Sequence, residues 1–331
     1  MKKLINEVDN VVDEMLEGMV AACPKYVKRL PGLEVLVRAG GSEGKVALVS
    51  GGGSGHEPAH GGFVGKGMLD AAVAGAVFTS PTPDQVYEAI KAANGGKGVL
   101  LVIKNYTGDV MNFEMAADMA RDEGIEVDQV VVADDVAVEN STWTTGRRGI
   151  AGTIFVHKLA GACAEAGGSL ADVKAVAEKV IANVRSMGMA IEACTVPAAG
   201  KKSFDLAEDE IEIGIGIHGE PGTHREKIST VNGISDQLLD KILAEGIYND
   251  GDEVAVMVNG MGGTPLMELY VANKHVADVL AGKGIKIYKT LVGNYMTSLD
   301  MEGFSITLLK LDDELKAYLN APADTPAFTQ F

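Results

Sequence analysis

Residues 45–56, Lys45-Val46-Ala47-Leu48-Val49-Ser50-Gly51-Gly52-Gly53-Ser54-Gly55-His56, run from an apolar segment into a tract with glycine at four of its first five positions. Lys45 to Ser50 predicts a β-strand. Glycines at the end of a strand let backbone N–H groups approach a small polar ligand with no side chain in the way. A histidine at that edge can exchange a proton, bind a metal or act as a nucleophile near neutral pH. A second glycine-framed histidine lies in Gly214-Ile215-Gly216-Ile217-His218-Gly219-Glu220-Pro221-Gly222.

Outward from the first tract, strand and helix patterns alternate. Val8, Val11, Val12, Met15, Leu16, Met19 and Val20 recur at helical spacing and predict an amphipathic helix over 4–21. Strands are expected at 35–38, 46–50, 98–104 and 126–133, and helices at 83–93 and 109–123. The segment 134–152 carries Trp143, Arg147 and Arg148 and reads as a long loop, a length usually functional or disordered. Helices follow at 157–166 and 170–187. Between 186 and 203 the texture turns to Met, Gly, Pro and Lys, which sets the expected domains at 1–185 and 186–331. The second half predicts strands at 212–217, 253–258, 285–291 and 304–310, with helices at 234–245, 266–280 and 312–319. The expected fold class is α/β, two α/β domains with mostly buried mixed sheets flanked by helices.

Composition narrows the function. A net charge of −17 over 331 residues argues against nucleic acid and against a bare anionic membrane. The three cysteines are scattered without metal spacing and read as thiols of a reducing compartment. The N-terminal residues carry acidic side chains where a signal peptide would be apolar, and no run approaches the roughly 18 to 20 apolar residues of a membrane span. A cytoplasmic protein is expected.

Two other motifs overlap the first tract. His56-Glu57-Pro58-Ala59-His60 fits the letters of the zinc-protease pattern H-E-x-x-H, which needs both histidines on one face of a helix interior. Pro58 and the adjoining glycines oppose such a helix, and no third ligand follows, so no metal is expected. Gly65-Lys66-Gly67 lacks the upstream glycine and the Ser or Thr of a phosphate loop, and Gly51–His56 fails G-x-G-x-x-G at its last position. A structural glycine turn remains the bland alternative.

The strand at 98–104 ends in Lys104-Asn105-Tyr106-Thr107-Gly108-Asp109, where ligands of open α/β sheets collect. Taken singly, Asp109 reads as a helix cap and Lys104 as a solvated group. Burial at a strand end would keep His218 neutral, with the lone pair a nucleophile needs. His60, His157, His224 and His275 read as structural or surface residues.

Together, Gly-Gly-Gly-Ser-Gly-His-Glu-Pro-Ala-His-Gly-Gly, Lys-Asn-Tyr-Thr-Gly-Asp and Gly-Ile-His-Gly-Glu-Pro-Gly resemble the dihydroxyacetone kinases, specifically their substrate-binding K module, from about residue 7 onward. The resemblance implies two α/β domains and a homodimer. It implies that His218 adds through a ring nitrogen to the ketone carbon of dihydroxyacetone, giving a hemiaminal. It assigns the substrate hydroxyls to Gly53, Ser54, Gly55, His56, Lys104 and Asp109, with His56 and Asp109 in proton transfer. One-chain relatives carry a helical nucleotide-binding module after the K module. The sequence ends at Phe331 without it, so the expectation is the K subunit of a split kinase, with no cofactor of its own. ADP or ATP with magnesium would sit on a separate L subunit. In the phosphotransferase-system form, a multiphosphoryl carrier recharges that nucleotide, ultimately from phosphoenolpyruvate; exchangeable ATP is the other donor. The competing readings are a non-catalytic dihydroxyacetone sensor or coactivator, and a phosphohistidine carrier using His56 or His218.

Overall fold

The computed structural model describes residues 2–141 and 144–331, so Trp143 lies outside the described residues. Helix α1 (Val11–Ala22) opens the fold, shorter than the expected 4–21, after a single 3-10 turn at Val8–Asn10. The first sheet comprises β1 (Val27–Arg29), β2 (Val35–Arg38), β3 (Ala47–Ser54), β4 (Ala71–Val77), β5 (Val99–Lys104) and β6 (Val127–Val132), in the order β1-β2-β4-β3-β5-β6. Strands β4, β3, β5 and β6 are parallel neighbours, whereas β1 and β2 run antiparallel at the edge.

Alternation along the strands explains why this sheet reads as nearly continuous apolar runs. Ala47, Val49, Leu101 and Ile103 face α2 (Pro83–Ala93) and α3 (Thr107–Asp122). Leu48, Leu100 and Val102 face the opposite core, built with α4 (Thr153–Glu165) and α5 (Leu170–Asn183). A parallel sheet covered on both faces needs apolar residues at every position.

The second sheet begins at β7 (Val184–Glu192), inside the segment expected to continue a helix to residue 187. The helix ends at Asn183 because β7 pairs with two strands at once, and those ladders override local helix propensity. A short hairpin, β8 (Thr195–Val196) with β9 (Lys201–Lys202), precedes β10 (Glu210–Ile213) and β11 (His224–Lys227). Next come α6 (Val231–Leu243), β12 (Glu253–Gly260), α7 (Leu266–Gly282), β13 (Lys286–Gly293) and β14 (Glu302–Leu311). The chain closes with α8 (Asp313–Asn320) and the hairpin β15 (Ala323–Asp324) with β16 (Thr329–Gln330). The sheet order is β11-β10-β7-β14-β12-β13, antiparallel except for β12 beside β13. Both sheets are therefore mixed and flanked by helices, as the sequence pattern implies.

One face of the second sheet packs on α6 and α7 through Val254, Val256, Ile306 and Leu308. Its other face, through Ala255, Met257 and Leu309, joins the core that α4, α5 and α8 share with the first sheet. The two halves thus meet across one continuous apolar core. The strand expected at 212–217 stops at Ile213, where Gly214 takes φ +78° and turns the chain into a loop carrying His218. No helix among the described residues is long and apolar enough to cross a membrane.

Candidate active site

Three neighbouring strand ends build one wall of a cavity of about 610 Å³. Gly53 comes from β3, Phe78 to Ser80 follow β4, and Tyr106 to Asp109 with Asn112 form the β5–α3 junction; His218 reaches in from the second half. Glycine is required at position 53, because a Cβ there would lie 2.5 Å from Thr79 N and 2.7 Å from Phe78 Cα. At Gly52 a Cβ would sit 3.1 Å from Lys104 Nζ and 3.4 Å from Asp109 Oδ2, so the glycine backbone also makes room for those two side chains.

His218 stands in an aromatic cage. Its ring meets Tyr106 edge-on at 4.5 Å between centroids, His56 at 4.7 Å and Phe78 at 5.3 Å. Nδ1 lies 3.0 Å from Glu220 Oε1, and the His218 backbone N–H donates to Glu220 Oε2 at 2.9 Å. A carboxylate accepts, so in the neutral imidazole Nδ1 carries the proton and Nε2 keeps the lone pair. Burial opposes ionisation of Glu220, but the adjacent His218 and Arg148 overcome it and hold the carboxyl down to about 2.

His56 is fully buried, stacked on Phe78 at 5.2 Å and 19°. Nδ1 donates to Thr297 O at 2.8 Å, which leaves Nε2 with its lone pair and no protein partner. Burial, then the Lys104 charge, keeps this ring neutral. The segment supplying Thr297 comes from the second half and also bonds Gly55 O through Leu299 N–H at 2.7 Å. The Gly55–His56 turn is thereby fixed from both sides.

Asp109 is the third residue of α3, which starts at Thr107, and its side chain makes no helix-cap bond. Instead Ser80 Oγ donates to Oδ1, and the residue is 3% exposed on the cavity wall. Lys104, read singly as solvated, is fully buried under Gly52 because β5 is covered on both faces. Its Nζ has no hydrogen-bond partner and lies 5.3 Å from the Tyr106 ring centroid. Burial lowers its pKa, against the pull of Asp109, Glu220 and Asp134. Ser54 and Gly55 lie behind the wall: Ser54 Oγ donates to Gly75 O at 2.7 Å, and Gly55 N–H to both Glu57 carboxylate oxygens at 3.1 Å.

The H-E-x-x-H letters form turns rather than a helix. His60 faces away from the cavity toward His157, with Nδ1 3.0 Å from His157 Nε2, so both belong to the interior. His224 is exposed, and His275 bonds Asp236 at 2.7 Å near the surface. Among the described residues no group of three or more His, Cys, Asp or Glu could hold a metal.

Sequence reasoning quoted Glu220 and Tyr106 but gave them no role, and it passed over Phe78, Thr79, Ser80 and Asn112. The first pair had a signal, since a carboxylate two residues after His218 can reach its ring. The Thr79-Ser80-Pro81-Thr82-Pro83 loop could have been found had the small-residue run Ala71–Val77 been recognised as the strand beside β3.

The Dak1 domain model matches residues 17–327. The chain is 58% identical over 329 residues to "PTS-dependent dihydroxyacetone kinase 1, dihydroxyacetone-binding subunit DhaK" of Listeria innocua, covering 99% of this chain and 100% of that one. It is 46% identical to the "PEP-dependent dihydroxyacetone kinase, dihydroxyacetone-binding subunit DhaK" of Escherichia coli, covering 99% of each. Among solved structures, the "Dihydroxyacetone kinase operon co-activator Dha-DhaQ" superposes with a TM-score of 0.91 at 40% identity, over 98% of this chain and 99% of that one. The dihydroxyacetone kinase of C. freundii does so at 0.91 and 37% identity, over 99% of this chain and 60% of that one. On this match of sequence and fold along nearly its whole length, the chain belongs to the Dak1 domain family.

Proposed function

We propose that this chain is the dihydroxyacetone-binding and catalytic subunit of a split dihydroxyacetone kinase, a phosphotransferase. The observation that carries the reading is the His218–Glu220 pair, which leaves Nε2 of a caged imidazole free beside the cavity. Nε2 adds to C2 of dihydroxyacetone, and the carbonyl π pair moves to oxygen. The Nδ1 proton leaves to solvent along the Glu220 contact and the new alkoxide takes one from solvent, so the hemiaminal forms without net proton change. Glycerol has no carbonyl and cannot form this bond.

The covalent bond fixes one hydroxymethyl arm beside Asp109, the positioning contribution to catalysis. Asp109 accepts the hydroxyl proton as the phosphoryl group arrives. Lys104 Nζ and His56 Nε2, both buried and unpartnered, are a donor and an acceptor for substrate oxygens. Gly53 lines the same wall, and Ser54 and Gly55 shape the turn behind it.

The phosphoryl group comes from a nucleotide with magnesium on a separate L subunit, recharged by a multiphosphoryl carrier. The relatives named PTS- and PEP-dependent support that donor route. A cytoplasmic homodimer completes the reading.

The likeness to a co-activator of the same fold favours a second reading, a sensor that binds dihydroxyacetone without turnover. A buried proton-accepting pair, His56 and Asp109, favours the kinase. The test is product formation from dihydroxyacetone by this chain with the L subunit, the carrier system and phosphoenolpyruvate, in parallel with ATP alone. Dihydroxyacetone phosphate is expected only when the L subunit is present. Product from this chain with ATP alone contradicts the split kinase; adduct without turnover under every donor contradicts the kinase and leaves the sensor.

A further inference from the structure

Arg148 sits at the centre of buried charge that the steps above leave unused. Neither Arg148 nor Asp135 is exposed at all. Arg148 Nε donates to Asp135 Oδ2 at 2.8 Å, and Nη2 lies 2.7 Å from the same oxygen. Nη2 also donates to Gly214 O at 2.7 Å, and Nη1 to Pro221 O at 3.5 Å. One guanidinium therefore grips both ends of the loop that carries His218. Asp135 is itself held, its Oδ1 accepting from Ala137 N–H at 2.9 Å.

Within that loop, Gly216 is wrapped by the same groups. A Cβ there would lie 2.0 Å from Glu220 Oε2 and 2.8 Å from Arg148 Nη1, so the carboxylate and the guanidinium are near neighbours across the glycine. Residues 134–135 and 147–152 act as a strap: Asp134 accepts from Ile150 and Gly152 N–H at 2.7 and 2.8 Å, and Asn105 Nδ2 donates to Arg147 O at 2.7 Å. The strap thus joins the end of β5 to the His218 loop. Burying an ion pair is a weak way to gain stability, because desolvation consumes most of the attraction. It is an effective way to fix geometry.

We propose that Arg148, clamped by Asp135, is a positioning residue for the nucleophile: it holds the Gly214–Pro221 loop so that Glu220 meets His218 Nδ1. This rests on His218 being the nucleophile. The charged and titratable groups facing the cluster are Asp134 and Asp135 from the strap, Lys104 and Tyr106 from the end of β5, His56 from the glycine turn, and His218 with Glu220 from the loop itself.

The experiment titrates [2-13C]dihydroxyacetone into wild type, Arg148→Lys, Arg148→Met and Asp135→Asn across pH, reading the adduct by carbon NMR and folding by thermal denaturation. Arg148→Met should weaken adduct formation about tenfold or more, the size of a lost charge-assisted hydrogen bond. It should also move the acid limb to higher pH, since one of the charges that hold the Glu220 carboxyl down is gone. Arg148→Lys keeps the charge without the planar fork, so its acid limb should stay in place while adduct formation weakens. Asp135→Asn leaves Arg148 unneutralised and should move the limb the opposite way. A merely structural pair would lower the melting temperature while the folded variants form adduct with wild-type affinity and an unshifted limb. That result overturns the proposal, and the Arg148→Lys and Asp135→Asn arms decide it should Arg148→Met fail to fold. A wild-type protein that forms no adduct would remove the His218 reading itself, and this inference with it.

Discussion

Glu220→Gln isolates what the carboxylate does for His218. Both carboxylate oxygens accept from donors on one residue, Oε1 from the ring Nδ1–H at 3.0 Å and Oε2 from the backbone N–H at 2.9 Å. A glutamine side chain has one acceptor and one donor end, so either orientation sets an NH2 group against an N–H. If the amide nitrogen faces the ring, the clash is relieved only by moving the imidazole proton to Nε2, which occupies the lone pair proposed to attack the ketone. If it faces the backbone, a buried N–H is orphaned. A hydrogen bond to a charged group is worth about 1.5–3 kcal/mol, so adduct formation should weaken about tenfold to a hundredfold or slightly more. The assay is titration with [2-13C]dihydroxyacetone followed by carbon NMR, with thermal denaturation as the folding control. Unchanged adduct affinity in a folded Glu220→Gln protein would refute the tautomer argument.

The same carboxyl predicts an acid limb of stability. Its pKa falls from 4.5 unfolded to about 2 folded, so its contribution is present above pH 4.5 and is lost as pH falls from 4.5 to 2. At ~1.4 kcal/mol per pH unit that gap is ~3 kcal/mol, so the stability of Glu220→Gln should fall less than that of wild type over this window; parallel curves would contradict the value. Asp109→Asn should form the adduct normally yet lose turnover by about a hundredfold or more, the range for a missing general base. Equal turnover would leave Asp109 with only its Ser80 contact. Gly53→Ala sets a methyl into the backbone of Phe78 and Thr79. It should cost about 1–3 kcal/mol by thermal or denaturant unfolding and reduce substrate binding; an unperturbed variant would show that the loop yields freely.

Much of this was legible in the sequence, and the reasons differ by residue. The β3 strand and its glycines were readable because an apolar run meeting Gly51–Gly53 has few other meanings. His218 was readable because Gly214 and Gly216 mark a chain turning close to other groups. Strand β7 was hidden: Val184–Glu192 follows a helix with compatible spacing, and only its partners β10 and β14, distant in sequence, make it extended. Strand β4 was hidden by its small residues, which are required where Gly75 lies 2.0 Å, as measured to a notional Cβ, from Thr79 O. Lys104 gave no local sign of burial, since a lysine at a strand end is ordinarily solvated. The Arg148 clamp was out of reach for the same kind of reason, because Gly214 and Pro221 are distant in sequence and nothing nearby announces them. The proposed division of labour between His56 and His218 comes from the family resemblance; in the structure their Nδ1 partners differ, Thr297 O for His56 and Glu220 for His218.

The central claim is the covalent bond, and one spectrum tests it most directly. With [2-13C]dihydroxyacetone, wild-type protein should convert the ketone carbon signal of bound substrate into an sp3 carbon signal, and His218→Ala should not. A bound ketone signal in the wild type, or an sp3 signal that survives in His218→Ala, would contradict the account.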